Sequence, residues 1–217
     1  MNSRIVTIVL AIGLGISCIL LASRLGQLHL PGNQQDYAPV QPIAYSHRLH
    51  AGEMQIPCLY CHFAAQTSRH AGVPPASVCM NCHGQVTASL GAMHAEDERA
   101  ARENRKPRRI VSPELQKLYD ALSLDSNLKP DMHKKAAPII WNRVHALPSF
   151  VYFDHRAHVR VGVACQQCHG PVETMERVRQ FSDLSMGWCV NCHRQANQTG
   201  VAGARVNAST NCSTCHF

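Results

Sequence analysis

The sequence predicts a mainly α-helical and irregular fold, with short helices and loops wrapped around something other than packed side chains, behind one N-terminal transmembrane helix. Three observations predict it. No stretch alternates apolar and polar residues as a half-buried strand would. The 217 residues include only five Phe, five Tyr and two Trp, against 11 Cys and 14 His, so thiols and imidazoles outweigh the aromatic rings that usually fill a core. Ile5 to Ala22 runs without a charge between Arg4 and Arg24. As a helix this run spans about 27 Å, close to the hydrocarbon thickness of a bilayer. The length fits one large domain or two small ones, and the composition is neither collagen-like, disordered nor multi-span membrane.

The apolar run is longer than the roughly 7–15 residues of a signal-peptide core, and no small-x-small cleavage site stands clearly after it. Gly13 and Gly15 are tolerated in membrane helices. We read residues 1–26 as an uncleaved anchor; a cleaved signal is the first alternative. A lipoprotein site at Cys18 is the second, and the preceding Gly15-Ile-Ser fits it poorly. Residues 27–42, polar and Pro-containing, read as an extended tether.

After Cys18, every cysteine belongs to a Cys-x-x-Cys-His motif. The five are Cys58/Cys61/His62, Cys79/Cys82/His83, Cys165/Cys168/His169, Cys189/Cys192/His193 and Cys212/Cys215/His216. This is the attachment pattern of c-type haem. Two thiols three residues apart add across the two vinyl groups of one haem, and the adjacent His is held where it binds the iron from one face. A disulfide framework needs no His after each pair. Zinc ribbons use such pairs two at a time, which five do not satisfy. A thioredoxin-like motif occurs once, within a βαβ pattern that is absent here. Five covalent haem c groups are therefore expected.

The formal charge of +7 must be read with these groups in place. Five haems add about ten propionates, which moves the balance to roughly −3 before the irons are counted. The basic residues then read as propionate partners and docking patches, and no motif supports nucleic-acid binding. Because bacterial haem c is attached outside the cytoplasmic membrane, the haem-bearing part is expected in the periplasm, anchored by its N-terminus. Arg4 and Arg24 give almost no orientation bias of their own.

Tyr45-Ser-His47-Arg-Leu-His50 and Phe153-Asp-His155-Arg-Ala-His158 form an internal repeat about 108 residues apart, each followed by two attachment motifs. Residues 43–91 read as a first module with two haems and residues 139–217 as a second with three. Between them, residues 92–138 form a polar insert. Within it, Ala92 to Arg105 reads as a solvated helix, and Arg105-Lys-Pro-Arg-Arg109 as a solvated or propionate-facing basic run. Ser112-Pro113 starts a helix whose Leu115, Leu118, Tyr119 and Leu122 share one face.

Nine His lie outside the attachment motifs, and five are wanted as second iron ligands. In each His-x-x-His pair, i, i+3 spacing lets two imidazoles serve two haems, which assigns His47, His50, His155 and His158. His145 is our fifth, with His70, Met175 and Met186 as alternatives; a Met ligand would raise that haem's potential. His29, His94 and His133 read as surface residues. Irons capped on both faces are low-spin and closed to substrates, so a conduit is expected and no catalytic residue is assigned.

Tyr45 to His83 resembles the class III, cytochrome c3/c7-like, multihaem pattern. Trp141 to Arg194, with Arg143-Val-His145, Phe150-Val-Tyr-Phe153, Cys165-Gln-Gln-Cys-His-Gly170 and Met186-Gly-Trp-Cys189, resembles more specifically the pentahaem subunit of alternative complex III. The resemblance covers about residues 45–216, and the insert adds little to it. It implies an electron-transfer subunit of a membrane quinol-oxidising complex in a respiratory chain. The partners it implies are an iron–sulfur subunit related to molybdopterin oxidoreductases, polytopic quinol-binding subunits and a monohaem cytochrome c. The acceptor it implies is a periplasmic cytochrome c, copper protein or terminal oxidase. A carrier serving another periplasmic reductase is the alternative.

Overall fold

A computed structural model describes residues 3–25 and 34–217, apart from the side chains of residues 24 and 25. His29 and the first part of the expected tether lie outside the described residues. Helix α1 (Ser3–Leu25) carries the apolar run, with a 21-residue stretch, Ser3–Ser23, of mean hydropathy 2.8 and no buried residue. Its length and composition suit a membrane span or a signal sequence. No sheet forms among the described residues, only isolated bridges such as Val151 with His216.

Short helices follow, and each attachment motif occupies one of them. They are α2 (Cys58–Cys61), α3 (Ala76–His83), α7 (Gln166–His169), α8 (Met186–Thr199) and α9 (Cys212–Cys215). Local caps start several of these turns. Ser185 accepts a hydrogen bond from the Trp188 N–H to open α8, and Asn211 accepts one from Ser213 to open α9. A helical turn places residues i and i+3 on one side, so both thiols of each motif face the same way.

Between α3 and α7 lie α4 (Leu90–Arg102), α5 (Pro113–Ala121) and α6 (His155–Arg160). Ser89 caps α4 and Ser112 caps α5, whose first residue is Pro113 as expected. Leu118 and Tyr119 of the predicted stripe are buried, and the Tyr119 hydroxyl donates to the His83 carbonyl at 2.6 Å. The insert thus braces the second attachment motif.

The basic run is exposed at residues 106–109, as a solvated stretch would be. Arg105, partly exposed, binds the buried Glu96 at 2.6 Å and Glu103 at 2.5 Å, while the Arg108 N–H donates to the same Glu96 carboxylate at 2.9 Å. A buried carboxylate must be paired, and α4 satisfies that need with the loop that follows it.

The two repeats lean on each other. The first His-x-x-His begins at the N-cap His47 of a π-helical turn (Arg48–Glu53) that carries His50 and packs against the 3₁₀ turn Val172–Thr174. The Arg48 N–H donates to the Met175 carbonyl, and Glu176 takes bonds from Ser46 and the Arg48 guanidinium. Reciprocally, α6 packs on the 3₁₀ turn Phe63–Gln66, and the His155 N–H donates to the Arg69 carbonyl. Residues 34–42 of the expected tether dock on the second repeat. Asp36 and Tyr37 bracket Gln180 through backbone hydrogen bonds, and Gln41 exchanges bonds with Asn142.

Only six apolar side chains are buried among the described residues: Ala65, Ala88, Ala100, Leu118, Tyr119 and Met175. Three of the six are alanines. A chain of this size ordinarily buries a far larger apolar core. The remaining interior is lined by the attachment motifs and the histidines that face them.

Candidate functional site

Four of the five motif histidines face a second imidazole. Ring centroids are 6.3 Å apart for His62 and His47, 6.1 Å for His83 and His50, 6.4 Å for His169 and His155, and 6.0 Å for His193 and His158. A metal–nitrogen bond is about 2.0 Å and an imidazole centroid sits about 1.1 Å behind its nitrogen, so two imidazoles on opposite faces of one metal have centroids about 6 Å apart. The four pairs meet that distance without adjustment. Two of them, His47 with His62 and His155 with His169, also have ring planes within 5° and 9° of each other.

The Nδ1 atoms fix which nitrogen is free. His62 Nδ1–H donates to Gly72 O at 2.7 Å, His83 to Val86 O at 2.8 Å and His193 to Ser209 O at 2.6 Å. Opposite them, His50 donates to Ser46 O at 2.8 Å, His155 to Arg69 O at 2.9 Å and His158 to Asp154 O at 2.9 Å. A carbonyl can only accept, so each Nδ1 carries the proton and each Nε2 keeps its lone pair. That is the tautomer an iron requires, oriented as metal-ligating histidines are oriented by outer partners.

The repeat is built alike in both copies. Tyr45 meets His47 edge-on at 4.8 Å and stacks on His50 at 4.4 Å. Phe153 meets His155 edge-on at 4.8 Å and stacks on His158 at 4.7 Å. The aromatic residue thereby sets the orientation of both imidazoles of its pair. The residue between aromatic and His caps the turn: Ser46 Oγ accepts from Leu49, and Asp154 Oδ1 accepts from Arg156.

Burial pushes several of these imidazoles well below the ordinary histidine pKa. His47 falls to about 4 and His169 to about 3, with neighbouring imidazoles adding to the effect. They are held neutral, as ligation demands. Neighbouring thiols reveal how the motifs adjoin. Burial and then Cys82 raise Cys61, while burial and then Cys61 raise Cys79. Burial raises Cys165, and the neighbouring Cys58 raises it further. Burial with Cys192 and Cys189 lifts Cys168 to about 11, and burial followed by Cys215 raises Cys189. The motifs therefore adjoin in the order second, first, third, fourth, fifth.

The fifth motif is different. His145, our fifth candidate ligand, lies on His169: its Nε2 is 3.2 Å from His169 Nδ1, with centroids 4.4 Å apart. The third motif histidine meets His145 where His62, His83 and His193 meet carbonyls. Burial holds His145 to a pKa of about 4, so it is neutral and able to accept. The ring facing His216 is that of Phe150, at 5.8 Å. Of the alternatives, His70 is exposed and Met186 is 69% exposed, while Met175 is buried at the seam between the repeats. His94 and His133 are exposed, as expected. The outer-partner role of His145 and the position of Phe150 carry no sequence motif that spacing alone could have flagged.

Among the described residues, facing imidazoles fit haem c at four sites, and His216 offers one ligand at the fifth. Comparison with known proteins agrees in kind. Residues 151–217 match the family described as cytochrome c7 and related cytochrome c. The chain is also similar to the multihaem cytochrome c subunit of menaquinone reductase from Nitratidesulfovibrio vulgaris, 23% identical over 198 residues, or 81% of this chain and 76% of that protein. This chain is thus similar to multihaem c-type cytochromes over most of its length.

Proposed function

We propose that this chain is a pentahaem c-type cytochrome that passes electrons between a membrane quinone-linked complex and a periplasmic partner. The observation that carries the reading is the four pairs of facing imidazoles at 6.0–6.4 Å, each with a Cys-x-x-Cys motif at its base. Cys58, Cys61, Cys79, Cys82, Cys165, Cys168, Cys189, Cys192, Cys212 and Cys215 would hold five haems through thioethers. His62, His83, His169, His193 and His216 would bind the irons from one face; His47, His50, His155 and His158 would complete four of them. Bound haem supplies a one-electron couple. The chain's own residues fix the imidazoles, keep them neutral and bring the sites into a row.

The adjacency of the motifs supports a route through the second site, first, third, fourth and fifth. The crossing between repeats would lie where the first and third motifs adjoin. The anchor α1 would hold this row against the outer face of a bacterial cytoplasmic membrane, with the haem-bearing residues in the periplasm.

Two directions of flow are compatible with such a row. The resemblance to alternative complex III favours quinol oxidation, with electrons leaving to a periplasmic acceptor. The menaquinone reductase relative favours the reverse, electrons passing toward a quinone. We take the first, because the motif resemblance spans both repeats together with the anchor. Partners of the first kind are an iron–sulfur subunit, polytopic quinol-binding subunits and a monohaem cytochrome c.

The test has two parts. The mass of the purified chain should exceed that of the polypeptide by five haems; a mass equal to the bare polypeptide refutes the reading. In native membranes a menaquinol analogue should reduce the haems through co-purifying polytopic subunits. Reduction only by a soluble periplasmic donor reverses the direction.

A further inference from the structure

The loop after the first attachment motif holds a cation that no protein carboxylate pairs with. Arg69 is half-buried, and its Nε atom is buried with no hydrogen-bond partner. Among the described residues no Asp, Glu or chain terminus forms an ion pair with it. Residues 1, 2 and 24–33 contain neither Asp nor Glu, so they bring no side-chain carboxylate either. Asp154, in the segment beside it, is taken by the Arg156 guanidinium at 2.5 Å.

Two haem sites hold Arg69 in place. Its carbonyl accepts from the His155 backbone N–H at 3.1 Å and from His155 Nδ1–H at 2.9 Å, and His155 faces the third motif histidine. Its guanidinium lies over the Tyr152 ring, 4.5 Å from the centroid, while the Tyr152 N–H donates to the Cys215 carbonyl of the fifth motif at 2.8 Å. An aromatic face attracts a cation without neutralising it. A guanidinium whose inner nitrogen is withdrawn from water calls for a hydrogen-bonding anion. Haem c brings carboxylates of its own, the propionates.

Resting on the pentahaem reading, we propose that Arg69 is a positioning residue that holds a propionate of the third or fifth haem and thereby sets that haem's potential. The guanidinium fork matches a carboxylate with paired N–H donors. Reduction removes one positive charge from the iron, so a fixed cation nearby favours the reduced state and raises the potential.

The experiment is a spectroelectrochemical titration of the full-length, haem-loaded protein, with haem content by mass measured on every sample. In R69Q, one of the five components is expected to fall in potential. The reduced-to-oxidised ratio at a fixed potential should change about tenfold, which is about 59 mV for one electron. R69K keeps the charge and should hold that component near its parental value. R69Q with five haems and unchanged potentials overturns the proposal, even if its melting temperature falls. So does R69K shifted as far as R69Q, because charge is then not what acts. A structure of the haem-loaded parent protein is the second measurement, and it decides alone if the variants fail to assemble. Arg69 within hydrogen-bond distance of a propionate supports the proposal and shows which of the two haems carries it. Arg69 bonded only to water or protein groups overturns it. A parent protein with fewer than five haems instead overturns the reading on which the proposal rests.

Discussion

His145 Nε2 lies 3.2 Å from His169 Nδ1, making this the only motif histidine among the described residues seen to rest on another imidazole instead of a carbonyl. With His169 Nε2 on an iron, as proposed, its Nδ1–H would donate and His145 would accept. Such a bond would push electron density toward the metal and favour the oxidised state. Removing the acceptor in H145A should raise the potential of one haem. A hydrogen bond of about 1 kcal/mol corresponds to roughly 40 mV for one electron. Spectroelectrochemical titration should show this shift in one of the five components. H145Q, whose amide oxygen can accept, should recover much of it.

Gly52 has no room for a methyl group. A Cβ built there would lie 2.2 Å from the Glu173 carbonyl oxygen, where the two repeats meet. G52A should therefore pry that seam open and cost about 1–3 kcal/mol. Gly91, on α4 with nothing within 4 Å, is the control: G91A should be neutral or slightly stabilising. Thermal unfolding of the haem-loaded variants distinguishes the two, and equal melting temperatures would show that the seam is slack.

Phe153 stacks on His158 at 4.7 Å and abuts His155 edge-on. F153A should leave both imidazoles free to rotate about their iron bonds. The expected signature is a change in the low-spin g-values of two haems with the haem count unchanged, together with a loss of about 2 kcal/mol for a half-buried aromatic ring. F153Y, which restores what Tyr45 provides in the first repeat, should preserve the spectrum.

The Glu96–Arg105 pair makes a pH dependence with a defined sign. Arg105 and the Arg108 N–H lower the Glu96 carboxyl from its ordinary 4.5 to about 2. A carboxyl depressed in the folded state contributes stability that is complete above pH 4.5 and lost as pH falls toward 2. The melting temperature should drop over that window in the parent protein. In E96Q the drop should be smaller, starting from a lower plateau at neutral pH.

Some of this was legible because it is local. The attachment motifs and the His-x-x-His pairs require fixed spacings on a single turn, and their partnership with iron follows from ligand chemistry. The Ser112-Pro113 start of α5 and its buried Leu118 and Tyr119 followed from capping and periodicity. The pairing of Arg105 was not legible because its partner, Glu96, sits nine residues earlier on α4, and a polar residue in a polar helix gives no sign of being buried. Spacing also gave no sign that His145 would lie against His169. A histidine can serve iron, another histidine or water, and its neighbours in sequence do not say which.

The amino-acid sequence by itself determined the chemistry of the interior: where thioethers can form, which imidazoles stand beside them, and that an apolar segment precedes them. Such bonds are short-range and leave their mark in adjacent residues. Only the tertiary structure decided the order in which the sites adjoin, the interlocking of the two repeats, and the contacts by which His145 meets His169 and Phe150 meets His216. Those outcomes depend on which distant segments meet, and that is settled by packing and hydrogen-bond geometry summed over the whole chain.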